Sequence, residues 1–305
     1  MTSIKRLIVV VGPTGSGKSD LSIEIAKALH APIISTDSRQ FYRGLAIGSA
    51  QPTAQQLAEA EHHFIACRDI TEDFNCGAYE KEALALLDRL FKQSDNVVAV
   101  GGSGLYIKAL CEGLDELPDC DPELRSALRK RLTSEGLAPL LEELKLLDPT
   151  YYEIVDRQNP SRVLRALELC IQSGKPYSSL RGKERAVRDF QIIKVGINMP
   201  REQLYDRINR RVEIMVGDGL IDEARAMLPY RKLNALQTVG YRELFDYFDG
   251  SISLQEAIEL IQRNSRRYAK RQMTWFGRDE RIKWFESGDV EPILNYIEIN
   301  FASHE

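Results

Sequence analysis

The sequence predicts an α/β protein in which a mostly parallel sheet is flanked by helices and interrupted by a helical insertion. Three observations carry that prediction. Short apolar runs at residues 7–11, 32–35, 97–100 and 192–197 recur with helix-period stretches between them, the pattern of buried strands joined by helical crossovers. From about residue 113 the strands stop, and residues 123–147 and 161–171 have helical period with Pro, Asp and Gly breaks between them. The first apolar run leads straight into Gly12-Pro13-Thr14-Gly15-Ser16-Gly17-Lys18-Ser19, followed by the helical spacing of Leu21, Ile25 and Leu29.

That eight-residue stretch is a complete phosphate-binding loop in its proper order of strand, glycine-rich turn and helix, and it makes the core P-loop NTPase-like. Backbone N–H groups of such a loop converge on phosphate oxygens, and the helix behind it adds the positive end of its dipole. Lys18 supplies a mobile point charge, and the Ser19 hydroxyl is placed to ligate Mg²⁺. The same loop serves nucleotide-binding and ATP-binding proteins, so it does not by itself say which phosphate compound is held.

The chain divides into a catalytic core, residues 1–112 and 190–305, and an insertion over 113–189. Residues 201–284 read as helical again. The 305 residues carry a formal net charge of −4, which argues against a general nucleic-acid coat protein. The distribution is less even than the sum: basic residues cluster at 125–131, 181–188 and 263–271. No apolar run approaches the ~20 residues needed to span a bilayer, so no membrane association is expected. The opening residues enter a short core strand at once, without the apolar segment of a signal peptide. Five scattered cysteines (67, 76, 111, 120, 170), none in a C-x-x-C pair, point to reduced thiols in a cytoplasmic protein, and neither they nor the four histidines suggest a transition-metal site.

Four further places could carry chemistry. The second strand runs into Asp37-Ser38-Arg39-Gln40, and strand C-termini in such sheets open onto the ligand crevice. A carboxylate there is a candidate general base, or a holder of metal-bound water, unless it merely caps a turn. Arg39 and Gln40 carry the planar groups that read phosphates and base edges. The third core strand ends in Gly101-Gly102-Ser103-Gly104, a second glycine turn, and lacks the aspartate that closes this strand in P-loop ATPases and switch GTPases. Asn159 and Pro160 open a helix as N-cap and first residue, with Val163, Leu164 and Leu167 expected to face the core and Arg162 and Arg165 one turn apart near its positive end. An anion would account for them, and so would surface ion pairs. Arg207 and Arg211 border an apolar stripe of Leu204, Ile208, Val212 and Met215, where an arginine reaches the crevice and clamps a leaving diphosphate or serves as a structural ion pair.

Together these elements resemble the tRNA dimethylallyltransferases, also called tRNA isopentenyltransferases. The likeness runs over some 270 residues in order: Gly12 to Ser19, the box from Asp37 to Gly44, Ile47-Gly48-Ser49-Ala50, Gly101 to Tyr106, and Asn159 to Glu168. It continues through Arg211 with Met215, Gly219-Leu220, Gln237-Thr238-Val239-Gly240-Tyr241 and Arg271 to Phe276. The resemblance implies transfer of a dimethylallyl group from dimethylallyl diphosphate to N6 of the adenine 3′ to the anticodon, in tRNAs reading codons that begin with U. It implies catalytic roles for Asp37, Lys18, Arg211 and Ser103, with the loop holding the donor diphosphate and Mg²⁺ as cofactor. It further implies that tRNA contacts Asp37, Ser38, Arg39, Gln40, Ser103, Arg125, Ser161, Arg162, Val163, Leu164, Arg165, Gln237, Thr238, Val239, Gly240, Tyr241 and Arg242. The insertion then grips the anticodon stem-loop, and the enzyme is expected to act as a monomer. Ser19 and Ser103 stand where the family commonly has Thr, and Ala46 and Gln51 where Asp and Lys are frequent. An adenylate isopentenyltransferase acting on free AMP, ADP or ATP, a P-loop small-molecule kinase, and a non-catalytic RNA-binding module remain the alternatives.

Overall fold

The computed structural model describes residues 4–115, 117–118, 121–182, 186–288 and 290–302. Among the described residues one sheet has six strands in the order β3-β2-β4-β1-β5-β6, every neighbouring pair parallel. The strands are β1 (Arg6–Val11), β2 (Ile33–Ser35), β3 (His62–His63), β4 (Asn96–Gly101), β5 (Gln191–Asn198) and β6 (Ile282–Glu286). The helices of the first half are α1 (Lys18–Ala28), α2 (Ala54–Glu59), α3 (Cys76–Leu90) and α4 (Gly104–Glu112). Four more, α5 (Pro122–Glu135), α6 (Leu137–Leu147), α7 (Pro149–Ile154) and α8 (Pro160–Ser173), follow without an intervening strand. The chain closes with α9 (Arg201–Gly217), α10 (Leu220–Ala226), α11 (Tyr241–Phe248), α12 (Leu254–Phe276) and α13 (Glu291–Ala302).

β1 lies inside the sheet and is buried on both faces, which is why its sequence is a continuous apolar run. Leu7, Val9 and Val11 join the core cluster that also holds Phe41, Tyr79 and Leu110. Ile8 and Val10 point the other way, into the cluster with Ile25, Ile33 and Ile197. Alternation along a strand delivers both sets from five consecutive residues.

The chain forms two compact units, Met1–Glu112 with Val187–Glu305, and Gly113–Ala186. The second ends at Ala186, where the sequence placed the boundary after residue 189. Its helices α5 to α8 enclose a core of Leu128, Leu140, Leu144, Tyr151 and Leu167. The stretch of helical period over 123–147 forms two helices, parted at Gly136, whose φ of +80° favours glycine.

Two strands escape the sequence reading. β3 is two half-buried histidines, with no apolar run to signal it. β6 lies in the stretch expected to be helical; it is an edge strand in which Ile282 is buried and Lys283 exposed. Among the described residues no helix is long and apolar enough to cross a membrane.

Candidate active site

The phosphate loop leaves β1 and turns under a hydrogen bond from Ser16 N–H to the Pro13 carbonyl, 3.2 Å. Gly17, with φ of +84°, is the N-cap of α1, and a Cβ there would lie 3.3 Å from Arg207 Nη2. Lys18, Ser19 and Asp20 open the helix, where backbone N–H groups have no intrahelical acceptor and face the loop's concavity. The Ser16 hydroxyl is buried without a hydrogen-bond partner. An orphaned donor and a row of amides are what an anion would satisfy.

Two cations close over this cradle. Lys18 keeps part of its chain exposed, but its ammonium end donates to the Pro13 carbonyl at 3.3 Å in a desolvated setting. Burial, aided by the nearby Arg211 and opposed by Asp37, lowers its pKa from 10.5 to about 8. Arg211 reaches across from α9, its Nη1 donating to Thr14 Oγ1 at 3.2 Å. Burial lowers its affinity for the proton too, with Asp37 and Asp20 opposing. The α9 stripe of Leu204, Ile208 and Val212 is buried, which fixes the helix and hence the reach of Arg211.

Asp37 follows β2 at the sheet's C-terminal edge. Its Oδ1 accepts from Arg39 N–H at 2.9 Å, and its own N–H donates to Ser35 Oγ at 3.2 Å. Ser103, from the turn after β4, accepts from Ser38 N–H at 3.1 Å, so the two strand ends are joined at the hydroxyl. A cavity of about 440 Å³ opens beside them and is lined by Thr14, Asp37, Ser38, Arg39, Arg211, Gln237, Thr238, Val239, Gly240 and Arg242. Residues spread over more than 200 positions of sequence thus face one space.

Three residues singled out for RNA contact stand differently. Tyr241 is fully buried; its hydroxyl donates to Glu223 Oε1 at 2.6 Å, so its side chain offers RNA no surface. Val163 is fully buried in the core of the helical unit. The Gln40 amide is engaged internally, accepting from Ser35 Oγ at 2.8 Å and donating to the Ala50 carbonyl at 2.7 Å. Gln51, the departure from the family's usual lysine, donates to the Gln40 and Tyr42 carbonyls and closes the same loop.

In the helical unit, Asn159 caps α8 as expected, accepting from Arg162 N–H. Arg125 and Arg165 converge on Glu168, whose carboxylate is almost wholly buried. Arg162 and Ser161 are exposed. A small cavity is lined by Arg125, Arg129, Ser161, Leu164 and Arg165. The run at 181–188 keeps only its ends in view: Lys183 and Arg185, like Cys120, lie outside the described residues.

Other site residues were assigned no role from the sequence. Gln272 on α12 accepts from Thr14 N–H at 2.8 Å and donates to the Gly102 carbonyl at 2.9 Å, tying the phosphate loop to the turn after β4. A Cβ on Gly102 would lie 2.0 Å from that amide nitrogen, which is why the turn needs glycine. Glu223 caps the Ile47 and Gly48 N–H groups, each at 2.8 Å. Tyr268 lines the Asp37 cavity, and burial, with Asp37 nearby, pushes its phenol up to about 12. Gln272 stands within the motif from Arg271 to Phe276, but nothing in its spacing announces a tie to residue 14.

For Mg²⁺ the donor chemistry fits. Ser19 presents an exposed hard oxygen at the mouth of the cradle, and no group of three or more His, Cys, Asp or Glu side chains forms a rival site among the described residues. Such an ion would be held by Ser19 and by oxygens of the phosphate ligand and water.

A parallel sheet with a phosphate loop behind its first strand, a carboxylate behind its second and a separate helical unit defines the class as a P-loop enzyme with a cation-lined crevice. The family model described as IPP transferase matches residues 40–279, and this chain belongs to that family. It is 47% identical over 298 residues to tRNA dimethylallyltransferase 1 of Bacteroides thetaiotaomicron, covering 98% of this chain and 97% of that protein. It is 49% identical over 291 residues to tRNA dimethylallyltransferase 1 of Phocaeicola vulgatus, covering 95% and 97%. The crystal structure of the tRNA isopentenylpyrophosphate transferase from Bacillus halodurans superposes with a TM-score of 0.73 at 36% identity, over 98% of this chain and 97% of its own.

Proposed function

We propose that this protein transfers the dimethylallyl group of dimethylallyl diphosphate to N6 of the adenine immediately 3′ to the anticodon, in tRNAs reading codons that begin with U. The observation that carries the reading is the single cavity in which Asp37 and Arg211 face each other beside the cation-lined loop. The strand that would supply an aspartate for nucleotide hydrolysis ends in Gly101 instead. Family membership and relatives named as tRNA dimethylallyltransferases support it.

The chemistry follows from charge. Breaking the allylic C–O bond leaves positive charge on the five-carbon group and an extra negative charge on diphosphate. Loop amides, Lys18 and Arg211 are fixed where that negative charge grows, and a preset field costs no reorganisation during reaction. Mg²⁺, when bound through Ser19, adds positive charge on the departing oxygens. The adenine N6 lone pair is delocalised into the ring. Asp37 accepts an N6 proton as the new C–N bond forms, while Ser103 orients the amine through its hydroxyl. The base reaches this depth only by leaving the anticodon-loop stack, at a cost of a few kcal/mol offset by protein contacts. Arg39, Gln237, Thr238 and Arg242 around the cavity would hold the RNA next to the reacting adenine, and the helical unit would add contacts through Ser161, Arg162 and Arg165.

The test incubates the protein with Mg²⁺, dimethylallyl diphosphate and either an anticodon stem-loop RNA or AMP, then analyses nucleosides by mass. Adenosine carrying one five-carbon unit is expected from the RNA alone. Prenylated AMP with unmodified RNA would transfer the reading to the adenylate isopentenyltransferases.

A further inference from the structure

We propose that the exposed face of α12 is a phosphate track for the RNA substrate, carried by Arg263, Arg267, Lys270 and Arg271 and ended by the Trp275 ring. The inference rests on the reading of this chain as an RNA-modifying enzyme. After Glu259 the helix has no carboxylate to its end at Phe276, in a chain of net charge −4. Arg263, Arg267 and Lys270 follow at i, i+4 and i+7, so they stand in one stripe within about 60° of each other. Arg271 sits at the edge of that stripe, and the opposite face is the buried one, with Ile261, Ala269 and Gln272. All four cations are exposed, and among the described residues none forms an ion pair.

What sets the α12 row apart is that its four unpaired cations share one helix stretch without a carboxylate, whereas several other arginines are each held by one. Arg125 and Arg165 are held by Glu168, Arg131 by Glu135 and Glu143, and Arg188 by Glu80. Even Arg266, on α12 itself, turns away to Asn209 Oδ1. An unneutralised row of four like charges repels itself and is stabilised by a polyanion. Its position names the polyanion, because the stripe runs into the Asp37 cavity: Arg271 lines that cavity. Trp275 completes the edge. Its ring rests on Gly104, next to Ser103, leaving 41% of the residue exposed for a base to stack on. RNA leaving the cavity would therefore meet an aromatic face and then a line of guanidinium forks.

The test measures the affinity of the full chain for an anticodon stem-loop RNA over a range of KCl. The variant Arg263→Gln, Arg267→Gln, Lys270→Gln should bind about tenfold more weakly and lose about 2 from the salt slope. Replacing Lys81, Arg89 and Lys92 by Gln on the distant α3 side removes the same charge and should change affinity less than about twofold. Arg263→Lys with Arg267→Lys should keep the parent's slope, which separates lost charge from a misfolded helix. Parental slope and affinity in the α12 variant, with the parent binding RNA, overturns the track alone; equal losses in both charge variants also overturn it. A parent that binds phosphatidylserine vesicles but no stem-loop overturns both the track and the RNA reading beneath it.

Discussion

An ammonium held in a desolvated cradle beside a guanidinium gives up its proton early, and Lys18 does so near pH 8. Because its folded pKa lies below the unfolded value, the strain is complete below about pH 8 and fades as pH rises towards 10.5. An incoming diphosphate binds the protonated form. Donor affinity is therefore full below about pH 8 and should fall by up to tenfold per pH unit above it. Calorimetric titration of donor from about pH 7 to 9.5 checks this, with Lys18→Arg expected to flatten the profile because a guanidinium stays charged. Asp37→Asn removes the proton acceptor while keeping the shape; turnover should drop at least ~10² with RNA affinity within a few-fold. An unchanged turnover would mean that Asp37 is not the base. Which residues are legible at this scale depends on chemistry and reach. Thr14, Asp37 and Arg211 could be singled out because a phosphate loop, a carboxylate after a strand and an arginine beside an apolar stripe each carry a local signal. Tyr241 could not be sorted, because a motif gives identity without exposure, whereas the period of α8 already turned Val163 to the core against the RNA contact its motif implied.

At the scale of elements, the site is made by ties between the ends of strands. Gln272 is 4% exposed and joins the turns after β1 and β4 by two hydrogen bonds. Gln272→Leu keeps its bulk but leaves a buried N–H and C=O unpaired, a cost of about 1–3 kcal/mol each. Lower thermal stability and a raised donor KM are expected together; a lower melting temperature with an unchanged KM would show that the tie stabilises the fold without shaping the cradle. The central strands could be read from sequence because burial on both faces writes a continuous apolar run. β3 and β6 could not, since a two-residue strand has no period and an edge strand alternates too briefly. The long-range ties were equally silent: 258 positions separate Thr14 from Gln272.

At the scale of the molecule, the division into a sheet unit and a helical unit was written in the change of period near residue 113, and the two units have separate cores. Their chemistry divides as well. The sheet unit carries the cradle, the carboxylate and the cavity, while the helical unit carries exposed Ser161 and Arg162. The account as a whole requires that the donor's diphosphate lie against the loop amides while the RNA's purine amine meets the carboxylate behind β2. A crystal structure with an unreactive donor analogue and an anticodon stem-loop tests this directly. The predicted result is diphosphate spanning residues 12–19 with Arg211 upon it, and an unstacked adenine whose N6 lies within hydrogen-bond distance of Asp37. Diphosphate bound elsewhere, or an adenine still stacked in its loop, would contradict it.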